Sequence, residues 1–299
     1  MVELELLGPV VLRRADRVLP LSIKKTQALL VLLALQPRAA ALPRSRAVAL
    51  LWPQLDESTG RRNLRRELAR LRETGAGEVV LAEGDVLTLA STVCCDVLHF
   101  QAECGAGQPD SALERWHGPP ADGLALDDAE AFNEWWAPER ERLLGLRRSA
   151  LAASAAAHEA RGDRATALQR IESLLADDPL QEQHYRDAMR LLAAMGRREA
   201  ALAQFERCAA LLRSELGLAP MDETAALAAQ LRSTAAASGS LPAPAVASAA
   251  PPEGPKALLP EQLPFVGREA EVAALEAAWR SGRCVLIEAE GGLGKSRLA

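Results

Sequence analysis

The stretch TGRRNLRRELARLRE, residues 59–73, carries six arginines. A guanidinium is planar, stays charged at any physiological pH, and offers paired donors that match phosphate oxygens and guanine O6 and N7. A second stretch, EGGLGKS at residues 290–296, has the residues of a phosphate cradle. Small residues let backbone N–H groups approach an anion, Lys295 can reach β- and γ-phosphate oxygens, and Ser296 can hold Mg²⁺. The two chemistries are distinct: one suits the outside of a nucleic-acid duplex, the other the tail of a nucleotide.

Each needs a scaffold. At 100° per residue Leu64, Leu68 and Leu71 form one stripe, which must face a core. Thr59, Arg62, Arg66 and Arg70 then point away, Asn63 lies at the margin, and Arg61, Arg65 and Arg72 lie nearer the flanks. A merely solvated helix face mixes signs, whereas here only Glu67 interrupts the arginines before Glu73. Arg62 and Arg66, with Asn63 and Thr59, are the candidates for base edges. Arg61, Arg65, Arg70, Arg44 and Arg46 are the candidates for phosphates, which add affinity without sequence preference.

The flanking sequence places this helix third in a series. VELELLG alternates, VVLRR and RVLPL are short apolar runs around turn residues, and together they predict a small antiparallel sheet. KKTQALLVLLAL is apolar enough for a buried helix, stopped by Pro37, and a second helix runs from about Arg44 to Trp52, ended by Pro53. The arginine helix follows QLDESTG, with Asp56 and Ser58 as capping candidates. EVVLAEGDVLTLA then reads as a hairpin about Glu83-Gly84-Asp85. Sheet, three helices and terminal hairpin make a winged helix-turn-helix over residues 1–97.

Beyond it, Gly162 and Gly196 are 34 residues apart, and Ala167/Ala201, Leu168/Leu202 and Ile171/Phe205 keep that offset. This is the tetratricopeptide period, in which a small residue lets paired helices approach, glycine makes the turn and proline follows. Two copies need terminal helices as caps. Residues 98–232 therefore read as a tetratricopeptide-like helical domain. Residues 233–264, rich in Ala, Pro and Ser, read as a linker, and 265–299 as an incomplete P-loop α/β segment. The fold class expected is mainly α with a small β component.

The whole chain is acidic, with 35 Lys+Arg against 40 Asp+Glu for a formal −5, so any anionic partner must meet a local patch. No basic n-region with an apolar h-region opens the sequence, and no apolar run approaches the roughly 20 residues that span a bilayer. The expectation is a cytoplasmic protein without a membrane partner. Cys94, Cys95, Cys104, Cys208 and Cys284 lack a disulfide framework, and Cys94, Cys95, His99, Cys104 and His117 match no usual zinc spacing. Neither serine nor cysteine has a recognisable base partner, which leaves a nucleophilic enzyme without support. Phe132, Trp116, Trp135 and Trp136 could stack on single-stranded nucleic acid, but helical spacing favours core packing. In PERERLLGLRR the arginines, Arg140, Arg142, Arg147 and Arg148, are expected outward, and His158 is expected to fill space on its helix.

The segments LLGPV, QALLVLLAL, ALLWP, NLRRELARLR, CDVLHF, WHGPPADGL, FNEWWAPERERL and the long run from Asp178 to Pro220 resemble the Streptomyces antibiotic regulatory protein family. The resemblance covers roughly residues 2–232. It implies a winged helix joined to a bacterial transcriptional activator domain, binding to double-stranded promoter DNA as side-by-side protomers, and activation through RNA polymerase. DNA binding in that family would require no cofactor. One departure is the hairpin turn: the family's wing usually carries glycine-tyrosine and often a basic residue, whereas here Glu83-Gly84-Asp85 is followed by Val86. An acidic turn is repelled by phosphate, so no wing contact is carried over.

Phe265-Val266-Gly267-Arg268-Glu269 and the run CVLIEAEGGLGKSRLA resemble the start of signal-transducing ATPases with numerous domains. That resemblance implies nucleotide contact by Glu290, Gly291, Gly292, Leu293, Gly294, Lys295 and Ser296, with ATP and Mg²⁺ as cofactors of a longer protein. Ala289 stands where the strict motif has glycine. No second acidic strand follows, and catalysis needs several such parts together, so the 299-residue chain is expected to be a piece of a longer regulator without ATPase turnover. The competing functions are a tetratricopeptide-type interaction scaffold or a signalling ATPase, neither touching DNA directly.

Overall fold

The computed structural model describes residues 2–15, 17–36 and 41–238, with side chains to residue 233. Pro37, Cys284, the segment Phe265–Glu269 and the expected nucleotide-binding residues Glu290–Ser296 lie outside the described residues. So does the expected linker from residue 239 onward.

Three short strands, β1 (Val2–Glu5), β2 (Val11–Arg14) and β3 (Arg17–Leu19), form an antiparallel meander, as the alternation predicts. The sheet has a fourth member that the sequence reading omitted: β7 (Val93–Cys95) lies parallel to β1, with Val2 opposite Val93 and Leu4 opposite Cys95. Three residues show no alternation to read, and the partner lies far away in sequence. Between β1 and β7 the chain builds α1 (Lys24–Ala34), α2 (Arg44–Leu51) and α3 (Glu57–Leu71). The hairpin β5 (Val80–Glu83) and β6 (Val86–Leu89) turns at Gly84-Asp85, with Glu83 opposite Val86. A two-residue strand β4 (Leu42–Pro43) pairs with β6, giving a second three-stranded sheet.

This core does not stop at residue 97. It takes in Val97 and Phe100 of α4 (Asp96–Gly105), Ala112 of α5 (Pro109–Glu114), and Phe132, Trp136 and Leu143 from the first half of α6 (Glu130–Ala160). The segment after α5 is stitched to the end of β1: His117, Ala121 and Asp122 donate their N–H groups to Leu7, Leu6 and Gly8 carbonyls at 2.9, 2.7 and 2.9 Å. From the other side the Asp96 carboxylate accepts from the Leu6 and Leu7 N–H groups at 2.8 Å each. Two separate motifs of the sequence, LLGPV and WHGPPADGL, are thus one structural unit. These bonds give the N–H groups of Leu6, Leu7, His117, Ala121 and Asp122 their acceptors.

The second half of α6 enters another core. Ala150, Leu151 and Ala155 pack with residues of α7 (Arg164–Asp177), α8 (Glu182–Ala194) and α9 (Arg198–Leu216). Gly162 joins α6 to α7 and Gly196 joins α8 to α9, both in left-handed conformations with φ of +81° and +74°. Ala167 and Ala201 are wholly buried at the helix crossings, as expected for paired repeats. The cap is α10 (Asp222–Ser238). It runs past Ser233, where the linker was expected to begin, because alanines in STAAAS propagate a helix readily. No described helix is long and apolar enough to cross a membrane.

Candidate nucleic-acid interface

The N-terminus of α3 is capped by Asp56, whose Oδ1 accepts from the Thr59 N–H at 3.1 Å and from the Ser58 hydroxyl at 2.6 Å. These donors, the Ser58 hydroxyl first, hold the Asp56 carboxyl well below the usual carboxylate range. Four N–H groups at a helix start lack intrahelical partners, and Asp56 satisfies one of them. At the other end the chain leaves the helix through a π-type turn, Arg72–Ala76, in which Gly75 takes φ +86°.

The leucine seam is as expected: Leu64, Leu68 and Leu71 are all buried. Gly60 lies against α2 so closely that a Cβ there would stand 2.2 Å from Val48 Cγ1. Glu67 also faces inward, only 4% exposed. The Thr26 hydroxyl of α1 donates to its Oε2 at 2.9 Å, and Arg70 Nη1 donates to its Oε1 at 2.6 Å. Sequence reasoning counted Glu67 as a break in the positive face; the structure makes it a buried tie between α1 and α3. Its place on the wheel, about 40° from Leu71 at the edge of the leucine stripe, is the available signal.

The arginines divide into two groups. Arg62, Arg65 and Arg66 are exposed on α3, Arg46 is exposed on α2, and Arg72 follows in the exit turn. Arg62, Arg65, Arg46 and Arg72 form no side-chain hydrogen bond or ion pair among the described residues. Arg66 Nη2 donates to Asn63 Oδ1 at 3.1 Å, which aligns two of the expected base readers on one face. Thr59 is partly buried in the capped first turn.

The second group has intramolecular partners that the sequence reading did not foresee. Arg70 is held by Glu67. Arg44 Nε donates to the Gly84 carbonyl at 3.0 Å, and the Arg44 N–H to the Asp85 carbonyl at 2.8 Å. Arg61 is fixed from two sides: Nη1 and Nη2 reach Asp85 Oδ1 and Oδ2 at 2.5 and 3.3 Å, and Nε reaches Glu57 Oε1 at 2.9 Å. Asp85 raises the Arg61 pKa, and Arg61 in turn lowers that of Asp85. The turn of the wing is thereby joined to the first half of α3.

Other residues singled out by sequence behave variously. Phe132 and Trp136 are buried, while Trp116 and Trp135 pack against the same core, with Phe100 and Trp116 ring centroids 5.3 Å apart. They are packing residues. Arg142 pairs with Glu139 and Arg148 with Glu141. Arg147, however, turns in: its guanidinium lies 5.3 Å from the Trp116 ring centroid and pairs with Asp177. A long apolar stem and a flat cation suit such a half-buried site. His158 does more than fill space, bonding Asp163 through Nδ1 at 3.0 Å and Asp110 through Nε2 at 3.3 Å. Cys94 also has a base neighbour after all, with His99 Nε2 at 3.4 Å from its Sγ. Cys95 beside it is buried, and that burial pushes its thiol up to about 12. Among the described residues no three His, Cys, Asp or Glu side chains are grouped to hold a metal ion.

Residues 102–232 match the family model described as the bacterial transcriptional activator domain. A solved structure, Mycobacterium tuberculosis EmbR in complex with a low affinity phosphopeptide, shares the fold with a TM-score of 0.55 and 21% identity. The alignment covers 78% of this chain and 65% of that one, so the chain spans about two thirds of the length of that structure. No curated protein matches the sequence.

Proposed function

We propose that this chain is a DNA-binding transcriptional regulator, an activator, that places α3 in the major groove of promoter DNA. The observation that carries the reading is the row of exposed guanidinium groups on a helix whose opposite side is fixed by a leucine seam and a cap. α3 packs on α1 and α2, and Arg62 and Arg66 are exposed. That is the arrangement by which the recognition helix of a helix-turn-helix meets base edges. Arg62, Arg66, Asn63 and Thr59 are assigned to bases, and Arg65 and Arg46 to phosphates. Arg61, Arg70 and Arg44 are engaged within the protein.

The matched activator domain supports a role in transcription for the helices that follow. Through them the regulator would contact RNA polymerase and a second protomer on DNA. DNA binding would need no cofactor. In a longer protein nucleotide at Glu290–Ser296 would modulate it, a reading that rests on the sequence motif alone.

The test is a gel-shift or anisotropy titration of the chain against its own upstream region at two salt concentrations. Binding should weaken steeply with salt as counterions return to the phosphates. Replacing Arg66 with alanine should cost about 1–3 kcal/mol of binding free energy. Unaltered affinity would move the reading surface off α3, and absence of any shift at low salt would favour an interaction scaffold.

A further inference from the structure

We infer that Asp85 acts as an internal stand-in for a DNA phosphate: it occupies the paired donor face of Arg61 in the free protein, and so lowers sequence-independent affinity for DNA. This rests on the DNA-binding reading above and extends it to the wing.

The geometry is that of phosphate recognition turned inward. Two nitrogens of one guanidinium reach the two oxygens of Asp85, at 2.5 and 3.3 Å. Planar two-point contact of this kind is what makes arginine a preferred ligand of both carboxylate and phosphate. The third donor, Nε, is taken by Glu57 at 2.9 Å. Arg61 therefore presents a cation already matched by two carboxylates, while its neighbours Arg62, Arg65 and Arg66 present theirs to solvent. The latch sits at the surface, with Arg61 and Asp85 side chains 37% and 57% exposed, so a duplex arriving on α3 meets it directly. Glu83, exposed at the start of the same turn, adds a further negative charge. Against a polyanion this turn repels where a basic wing would attract.

The turn does not depend on the Asp85 side chain for its shape. Arg44 N–H bonds the Asp85 backbone carbonyl, and the β5–β6 register is set by backbone pairing. Asp85→Asn should fold, and this can be confirmed by an unchanged circular dichroism spectrum. The probes are a random-sequence duplex and the chain's own upstream region. With Arg61 released, binding to both should tighten by about three- to tenfold at moderate salt, and the dependence of log K on log salt should steepen by about 0.9, the value of one added phosphate contact. The factor should be the same for both duplexes, because phosphates carry no sequence information. In Asp85→Asn combined with Arg61→Gln the gain should vanish.

If the wild-type chain binds neither duplex at low salt, the DNA-binding reading falls and this inference with it. If the wild type binds but Asp85→Asn leaves affinity and salt slope unchanged, or weakens binding, the inference alone is overturned. A gain that survives removal of Arg61 overturns it as well.

Discussion

A carboxylate enclosed between two helices persists only when its oxygens are occupied, and Glu67 has the Thr26 hydroxyl on one and Arg70 on the other. Replacing Glu67 with alanine leaves a buried hydroxyl and a cation without their acceptor, and should destabilise the fold by about 1–3 kcal/mol. Glu67→Gln keeps an acceptor for Thr26 and should lose less. Urea unfolding of the two variants checks this order; equal losses would mean that the charge of Arg70, not the hydrogen bond, holds the site. The same pair shows what single residues reveal before folding. A helical wheel places Glu67 on the inner side, but sequence supplies no partner for it, and the partner, Thr26, comes from a helix 41 positions away. Arg61 and Asp85 are alike in this respect: each was legible as a charge, and neither as one half of a pair.

Helices can cross closely where one of them lacks a side chain, and α3 meets α2 in this way at Gly60. A methyl group there would meet Val48 Cγ1 at 2.2 Å. Valine in a helix has little freedom about χ1, so α3 itself must move. Gly60→Ala should therefore cost about 1–3 kcal/mol of stability through overpacking, and, if α3 reads bases as proposed, the surviving folded protein should bind DNA more weakly because that helix is displaced. A variant as stable as the wild type, measured by thermal unfolding, would show that the crossing has slack. The leucine periodicity and the turn residues announced α1, α2, α3 and the hairpin, since these carry local signals of adequate length. β4 and β7, with two and three residues, carry none. They exist because β6 and β1 offer free edges, a fact of tertiary structure. Likewise the alanines that prolong α10 read as linker composition, and only their continuity with a docked helix makes them helical.

Across the whole described chain, five carboxyls are held below their ordinary values by named donors. Ser58 is the leading cause at Asp56, Arg61 at Asp85, Arg115 at Glu103, Ser154 at Asp110 and Thr166 at Asp163. Asp96 is shifted the other way, raised by burial despite the N–H groups that it accepts. A carboxyl with a depressed native pKa binds fewer protons folded than unfolded. Its contribution is present above the unfolded values of 3.8 for aspartate and 4.5 for glutamate, and is lost as pH falls through the native one. Asp96 opposes this trend alone. The melting temperature should accordingly be level above about pH 5 and decline below about pH 4; a melting temperature still level at acid pH would mean that these pairs are no tighter folded than unfolded.

The helix α6 starts among the aromatic residues of the first core and finishes among the alanines of the second, continuous through Pro138. At 1.5 Å per residue it is a rod of about 46 Å. Because its first half is buried in one core and its second half in the other, a rotation of the repeat helices would be carried along this shaft to the body that holds the arginines. If α3 enters a duplex as proposed, torque on the repeats would then turn it in the groove as the bow of a key turns its bit.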